Sequence, residues 1–248
     1  MNSEIVKGFV TTQDNVRIAY EHVRQGKTSL IVVCPGFFNS LENRRMQDIK
    51  SFLMKDYDVL VFSFRGHGMS QGLFTWTAKE PYDLMAIMKY LEDFQYQKTG
   101  IVGLSLGAAT TINCLSRLDY VSSVILISGP FSFWDINYHF WEPEMFSDLM
   151  DNMDCGWQGK GARLGNIFMR KRKPLNEIQK IQKKSMLFIH GEKDWIIKPY
   201  HSERLFQAAA VKNKKLKIIK KGLHAERLIQ QYPQKMKKMI IDWFKETL

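Results

Sequence analysis

The chain has 248 residues, of which 45% are apolar and 25% are charged. These values fit one large soluble α/β domain better than two small ones, and such a domain needs no disulfide bonds to hold its core. The net charge of +11 is concentrated in residues 160–248, which contain 23 Lys and Arg against 7 Asp and Glu.

The basic C-terminal part of the chain can indicate an anionic partner, such as nucleic acid or phospholipid head groups. Its lysines, however, interleave with apolar residues at helical spacing, and no nucleic-acid-binding motif accompanies them. We therefore favour solvated helix faces and expect no nucleic-acid partner. Weak association with an anionic surface stays open as an alternative, and so does the oligomeric state.

Three widely spaced cysteines, Cys34, Cys114 and Cys155, form neither a Cys-x-x-Cys pair nor a cluster with zinc spacing. No basic segment followed by an apolar one opens the chain, and no apolar run approaches the ~18 residues of a membrane span. We therefore expect reduced thiols, a cytoplasmic location, and neither a bound metal nor another cofactor.

Strand-like runs alternate with helix-like runs, which is typical of a mainly parallel sheet wrapped by helices. The predicted strands are Phe9–Thr12, Val16–Val23, Ser29–Cys34, Tyr57–Phe62, Thr99–Val102, Ser123–Ile127, Ser185–His190 and Lys215–Ile219. The first two flank Asp14-Asn15 and form a predicted hairpin. The predicted helices are Leu41–Met54, Lys79–Asp93, Leu106–Arg117, Pro199–Ala210 and Pro233–Lys245. Ser40 is the expected N-cap of the first helix.

The alternation stops between the sixth and seventh predicted strands, in a segment rich in aromatic residues and Met. We predict that residues 1–130 and 174–248 form the core and that residues 131–173 form a cap. An insertion at this point would lie over the strand ends, where ligands bind in sheets of this type. The apolar side chains of the cap would anchor it to the core, line an apolar pocket, or do both.

The segment Gly103-Leu104-Ser105-Leu106-Gly107 lies between a predicted strand and an Ala-rich predicted helix. A nucleophilic serine in such a turn has a strained backbone, and small neighbours let strand and helix approach each other. The N-terminus of the following helix offers N–H groups to a developing oxyanion. The alternative for this pentapeptide is a glycine-rich turn with an exposed or capping serine.

A serine hydroxyl needs a base to become a nucleophile, and the base needs an acid to orient it. Asp194 and His224 each follow a predicted strand, in His190-Gly191-Glu192-Lys193-Asp194 and in Lys221-Gly222-Leu223-His224. Both would lie at the sheet edge that carries Ser105, in the order Ser, Asp, His. Glu192 is the alternative acid.

These motifs, with Phe64-Arg65-Gly66-His67-Gly68-Met69-Ser70 after the fourth strand, resemble the α/β-hydrolase superfamily. The branch most similar contains monoacylglycerol-lipase-like and serine-aminopeptidase-like hydrolases. The resemblance covers nearly the whole chain outside residues 131–173. It implies the α/β-hydrolase fold, with a mostly parallel central sheet, helices on both faces and a cap insertion. It also implies a catalytic triad of Ser105, Asp194 and His224.

An acyl-transfer site also needs two N–H donors aimed at the tetrahedral oxygen. The residue after the nucleophile, Leu106, should supply one, and the resemblance assigns the other to Phe37, the residue after Gly36. Members of the family usually have His before this glycine, whereas this chain has Pro35. Because proline donates no hydrogen bond, the hydrogen bonding of this loop must differ.

Other residues near these motifs have simpler expected roles. The resemblance places the acid at the end of its loop, which favours Asp194 over Glu192, and it makes His67 a turn-stabilising residue. His190 ends a strand and is expected to shape the acid loop. His201 lies within a predicted helix and is expected on the surface.

The leading hypothesis is a serine hydrolase that cleaves small to medium apolar acyl esters through an acyl-enzyme at Ser105. The predicted substrate-binding residues are Phe38, Trp134 and Trp141. The same triad would support amide or peptide hydrolysis, or acyl transfer to an alcohol or thiol. The alternative in which the protein is not an enzyme is a non-catalytic binding protein of the same fold.

Overall fold

The structure is a computed structural model, and it describes residues 4–136, 143 and 162–248. Its strands are β1 (Glu4–Thr11), β2 (Arg17–Arg24), β3 (Ser29–Cys34), β4 (Asp58–Phe62), β5 (Lys98–Leu104), β6 (Val121–Ile127), β7 (Ser185–Gly191) and β8 (Lys214–Ile219). They form one eight-stranded sheet in the order β1-β2-β4-β3-β5-β6-β7-β8. β2 is antiparallel to both β1 and β4, and every other pairing in the sheet is parallel.

Helices cover both faces of this sheet. They are α1 (Arg44–Leu53), α2 (Glu80–Leu91), α3 (Leu106–Leu115), α4 (Pro174–Ile178), α5 (Tyr200–Ala208), α6 (Ala225–Gln231) and α7 (Pro233–Thr247). Buried residues of α2, α3, α4 and α5 pack in one apolar cluster, and those of α1, α6 and α7 pack in a second. This layered arrangement is the predicted α/β-hydrolase fold, and the prediction is confirmed.

The strands on the parallel side read as continuous apolar runs because both of their faces are covered. β3 is buried from Leu30 onward and β4 is buried throughout, as is typical of strands between two helical layers. β1 and β8 are the two edge strands of the sheet. In β8 the exposed residues include Lys215 and Lys217.

The start of α1 differs from the prediction. The helix begins at Arg44, and Asn43 caps it because its side-chain oxygen accepts the backbone N–H of Arg45 at 2.8 Å. Ser40 is not the cap. It lies one turn earlier, where its carbonyl oxygen accepts the N–H of Asn43 at 3.0 Å. Ser and Asn both favour the N-cap position, and the backbone path around Leu41 places Asn43 there.

The turn after β4 is held by a buried guanidinium. Arg65 is 2% exposed, and its Nη2 lies 2.7 Å from Oδ1 of Asp83 while its Nη1 lies 2.8 Å from Oδ2 of Asp14. The turn continues through Gly66, whose φ of +75° favours glycine. This ion-pair network joins the opening hairpin, α2 and the loop that carries His67.

The predicted cap is only partly within the described residues. Phe131 and Phe133 follow β6 and are buried in the core, whereas Trp134 is 61% and Phe168 is 81% exposed. The rings of Trp134 and Phe168 stack at 6.4 Å between centroids. Residues 137–142 and 144–161, which include Trp141 and Cys155, lie outside the described part. The cap boundaries therefore stay a prediction.

Two further sequence expectations concern the thiols and the helices. Cys34 and Cys114 are buried, free thiols. Burial raises the pKa of both, so neither has the properties of an activated nucleophile. Within the described ranges, no helix combines the length and the apolar character needed to cross a membrane.

Candidate active site

Ser105 lies in the sharp turn between β5 and α3. Its backbone has φ 51° and ψ −120°, a conformation that costs on the order of 1–3 kcal/mol for a residue with a side chain. The surrounding structure holds it there: its N–H donates to the carbonyl of Ile127 at 2.8 Å, and its own carbonyl accepts the N–H of Ala108 at 3.0 Å. The side chain is therefore fixed at the carboxyl edge of the sheet.

The two glycines of the turn are required by close backbone contacts. A Cβ atom on Gly103 would lie 2.7 Å from Cα of Ala108, and one on Gly107 would lie 2.3 Å from the carbonyl oxygen of Pro35. Real Cβ atoms essentially never approach other atoms this closely. The glycines let α3 pack directly against β5 and against the loop after β3.

Three side chains that the sequence predicted as partners lie within hydrogen-bond distance. Nε2 of His224 is 2.9 Å from Oγ of Ser105, and Nδ1 of His224 is 2.7 Å from Oδ2 of Asp194. Because Asp194 accepts at Nδ1, the proton of the neutral ring belongs there, and Nε2 is left to accept the serine hydroxyl proton. All three residues follow the carboxyl ends of strands, namely β5, β7 and β8.

Asp194 is 1% exposed and accepts several hydrogen bonds. Its Oδ1 accepts the backbone N–H groups of Ile196 and Ile197 at 3.1 and 2.9 Å. Burial would raise the pKa of Asp194, but the adjacent charge of His224 and hydrogen bonds from His190 and His224 outweigh burial and hold the pKa well below its usual range. The carboxyl group is therefore ionised at neutral pH.

The alternative acid, Glu192, lies elsewhere. Its Oε2 accepts the backbone N–H of Lys221 at 2.9 Å on the surface. His190 instead contacts Asp194, with Nε2 3.2 Å from Oδ2, and its Nδ1 lies 2.6 Å from the hydroxyl of Ser202. His190 thus shapes the loop that presents the acid, in the way the sequence indicated.

The loop after β3 brings Gly36, the residue before Phe37, against Ser105: a Cβ atom on Gly36 would lie 3.2 Å from Cβ of Ser105. In the described part of the chain, the backbone N–H groups of Phe37 and Leu106 have no hydrogen-bond acceptor. The N–H of Phe38 donates to Nε2 of His67 at 3.2 Å, and Nδ1 of that ring faces the carbonyl of Arg65. Burial lowers the pKa of His67 to about 4, which keeps Nε2 an acceptor at neutral pH.

An aromatic wall extends from this loop. Its ring centroids are separated by 3.9 to 5.7 Å from one member to the next, and its members are Phe37, Phe38, Phe74, Trp76 and Phe133. Phe38 was predicted to bind substrate, and it has the positive φ of 64° that turns its ring onto Phe37. Trp134 packs edge-on against Phe133 at the exposed end, and Trp141 lies outside the described residues.

Two polar residues of the site were not singled out in the sequence. Ser128 has φ 51° and accepts the N–H of Ala225 at 3.0 Å, and Glu226 accepts the N–H of Gly36 at 3.1 Å.

His201 was expected on the surface, and that is wrong. Its side chain is fully buried, with Nδ1 3.2 Å from the N–H of Phe131, because the residues after β6 pack over α5.

The arrangement of these groups combines a nucleophile, a base and an acid that orients the base. Among the described His, Cys, Asp and Glu residues, no group of three or more is placed to hold a metal ion. The site instead presents a hydroxyl, an imidazole and a carboxylate in sequence. Two N–H groups that have no acceptor among the described residues lie at the start of α3 and in the loop after β3. This set can transfer a proton from an oxygen nucleophile and stabilise a negatively charged oxygen.

Comparison with known proteins agrees with this geometry. A family model described as alpha/beta hydrolase fold matches residues 29–152, which is half of the chain. A second model, described as serine aminopeptidase, S33, matches residues 142–226. Together these two matches run from β3 into α6 and include each of the three predicted partners.

Curated relatives are more distant. An uncharacterized protein of Escherichia coli is 22% identical over 198 residues, covering 78% of this chain and 62% of the relative. The chain thus spans less than two thirds of that relative's length. An uncharacterized membrane protein of Saccharomyces cerevisiae is 25% identical over 228 residues, covering 88% of this chain and 73% of the relative.

Solved structures share the fold over nearly the whole chain. An esterase of Pyrococcus furiosus has a TM-score of 0.80 at 24% identity, with 99% of this chain and 93% of the esterase covered. An esterase of Exiguobacterium antarcticum has a TM-score of 0.75 at 15% identity, with 97% and 100% covered. From the sheet order, the geometry around Ser105 and the family match over half of its length, the chain belongs to the alpha/beta hydrolase family.

Proposed function

We propose that the protein is a serine hydrolase that cleaves carboxylic esters with small to medium, apolar acyl groups. The observation that carries this proposal is the continuous chain of hydrogen bonds from Ser105 through His224 to Asp194. Family membership supports hydrolysis as the class of reaction. The esterases among the similar structures support an ester as the substrate.

In the proposed first step, Oγ of Ser105 attacks the acyl carbon while Nε2 of His224 takes the hydroxyl proton. The new bond between Oγ and carbon forms as the carbonyl electron pair moves onto the oxygen. Asp194 holds the protonated ring in place through Nδ1 and stabilises its charge. An ionised Asp194 is required for this role, and its lowered pKa supports it.

The negative oxygen of the tetrahedral intermediate needs donors that are already in place. The backbone N–H groups of Phe37 and Leu106 supply them in this proposal. Leu106 follows Ser105 in the chain, Phe37 follows Gly36, which lies against Ser105, and neither N–H has an acceptor in the described part of the chain. The N-terminus of α3 adds its positive dipole at the same point. One such donor is worth about 10²- to 10³-fold in kcat.

The intermediate collapses when His224 gives its proton to the departing alcohol, which leaves an acyl-enzyme on Ser105. His224 then removes a proton from a water molecule that attacks the acyl carbon, and the carboxylic acid departs with Ser105 restored. The aromatic wall from Phe37 to Phe133 supports an apolar acyl or alcohol group.

The experiment that tests this proposal is hydrolysis of p-nitrophenyl butyrate by the wild-type chain and by Ser105→Ala. We expect kcat to fall by at least about 10⁴-fold, because removal of a serine nucleophile removes the covalent route. Ser51→Ala is the control, since Ser51 is an exposed serine on α1. A fluorophosphonate probe should label Ser105 in the wild type. Unchanged turnover by Ser105→Ala, or no adduct, would reject the assignment.

Amide or peptide hydrolysis is the second candidate, and the match of residues 142–226 to the serine aminopeptidase model favours it. The same three side chains would act, but the leaving group would be an amine that takes its proton from His224. Aminoacyl-naphthylamides assayed beside acyl esters separate the two candidates. Turnover of esters alone rejects the peptidase, and acyl transfer would appear as an ester product when an alcohol is added.

A further inference from the structure

The loop after β3 is held on both sides of the residue that donates to the oxyanion. The N–H of Gly36 donates to Oε1 of Glu226 at 3.1 Å, and the N–H of Phe38 donates to Nε2 of His67 at 3.2 Å. The N–H of Phe37 lies between these two. Glu226 and His67 thus fix the peptide groups before and after the N–H of Phe37, which is left to bind a ligand.

The carboxyl group of Glu226 lies directly against this loop. Glu226 is 5% exposed, and a Cβ atom on Gly36 would lie 2.7 Å from its Oε1 and 3.2 Å from Cβ of Ser105. Only a glycine leaves room for a carboxylate at this point. The residue before Gly36 is Pro35, which has no N–H, so the N–H of Gly36 is the first donor after β3 by which the loop can be anchored.

Glu226 is also tied to the predicted base. It follows His224 by two residues in the first turn of α6, and the intervening Ala225 donates its N–H to Oγ of Ser128 at 3.0 Å. Three consecutive residues therefore bind at the ends of three strands, β5, β6 and β3. Any shift of this short segment moves the contacts of the base and of the loop together.

We propose that Glu226 is a positioning residue that sets the backbone N–H of Phe37 for the oxyanion. Its hydrogen bond is with the N–H of Gly36, so it acts on the reacting atoms through the loop. The first turn of α6 then aligns the base and one oxyanion donor as a single unit. This inference rests on the proposed ester hydrolysis at Ser105.

The test compares Glu226→Ala and Glu226→Gln with the wild type in p-nitrophenyl butyrate hydrolysis. We expect Glu226→Ala to lower kcat by about 10- to 100-fold with KM within about threefold, because a misplaced oxyanion donor acts mainly on the transition state. Glu226→Gln should restore kcat to within about threefold, since its amide oxygen can accept the same N–H. The acid limb of the kcat/KM profile against pH should stay in place in both variants.

Controls separate this role from a loss of folding. Glu21→Ala removes another buried carboxylate, which pairs with Lys50 and Lys7 and belongs to β2, two strands from β3 in the sheet, and should leave kcat unchanged. If Glu226→Ala does not fold, as judged by circular dichroism, Glu226→Asp replaces it. The shorter side chain withdraws the acceptor and should give the same selective loss in kcat, to a smaller extent.

Several outcomes would overturn the inference. These are wild-type kcat in a folded Glu226→Ala or Glu226→Asp, a change confined to KM, or an equal loss in Glu226→Gln accompanied by a shift of the acid limb. The last result would mean that Glu226 acts through its charge on His224, and not as a hydrogen-bond acceptor for the loop. Ser105→Ala keeps the two proposals apart. If that variant hydrolyses the ester, the proposed function fails, whereas if it is inactive and Glu226→Ala is not, only this inference fails.

Discussion

Gly107→Ala should slow turnover far more than it destabilises the fold. The added Cβ would lie 2.3 Å from the carbonyl oxygen of Pro35 and 2.4 Å from that of Cys34, where at least 3.0 Å is needed. The first turn of α3 and the loop after β3 must therefore separate by about 0.7 Å. A displacement approaching 1 Å at a reacting group can cost about 10²-fold. We expect kcat to fall about 10- to 100-fold.

The expected change in stability is smaller because two effects oppose each other. Overpacking destabilises the fold by about 1–3 kcal/mol, whereas the higher helix propensity of alanine stabilises it by up to about 1 kcal/mol. The free energy of unfolding should therefore fall by about 0–3 kcal/mol, measured by urea denaturation. Turnover of p-nitrophenyl butyrate gives kcat on the same preparation.

Gly26→Ala is the matched control for this experiment. Gly26 has φ +73° and lies in the turn before β3, and a Cβ atom added to it would meet no other atom within 4 Å. Its alanine variant should lose about 1–2 kcal/mol of stability, since a left-handed backbone disfavours a side chain, while kcat stays at the wild-type value. A folded Gly107→Ala with kcat within threefold of wild type would refute the reasoning, because the loop would then tolerate displacement.

Asp194→Asn should lower kcat by about 10⁴-fold, because an amide favours the wrong tautomer of the base; a loss below tenfold in ester turnover would contradict this. Ser128→Ala should lower the free energy of unfolding in urea by about 1–3 kcal/mol, since it leaves the buried N–H of Ala225 without an acceptor; an unchanged value would mean that water replaces the hydroxyl. Burial lowers the pKa of His22 and of His67 to about 4, so unfolding takes up protons between pH 6.5 and 4. Stability should be full above pH 6.5 and fall toward pH 4, by up to about 1.4 kcal/mol per pH unit for each histidine; a flat profile would contradict the shifts.

Local patterns in the sequence were enough to predict the sheet. All eight strands were predicted, because strands such as β3 and β4 are continuous apolar runs that end in turn residues. β1 was predicted to begin at Phe9 but begins at Glu4. Its residues are exposed or half-buried, so its first part lacks a clear alternation of apolar and polar residues. The helices α4 and α6 were missed because 5 and 7 residues are too few for a helical stripe.

Contacts between distant parts of the chain explain what the sequence could not predict at the site. Ser105, Asp194 and His224 each follow a strand end in a recognisable motif, and they were predicted as partners. Ser128 and Glu226 have no motif of their own, and their hydrogen bonds join residues 97 and 190 positions apart. Such contacts depend on how the strand ends assemble, which no local pattern encodes.

β8 is an edge strand of the sheet, and it carries several of the chain's lysines. β8 pairs with β7 on one side, and its other side has no neighbouring strand in the described residues. An open margin of this kind is a template on which a second chain can polymerise. Lys217 is exposed on it, Lys215 is exposed and pairs with Glu246, and Lys214 donates to the carbonyl oxygens of Phe206 and Ala209. Two such margins would bring the Lys217 charges together and repel each other. High salt or acetylation of these lysines would weaken that repulsion and favour aggregation.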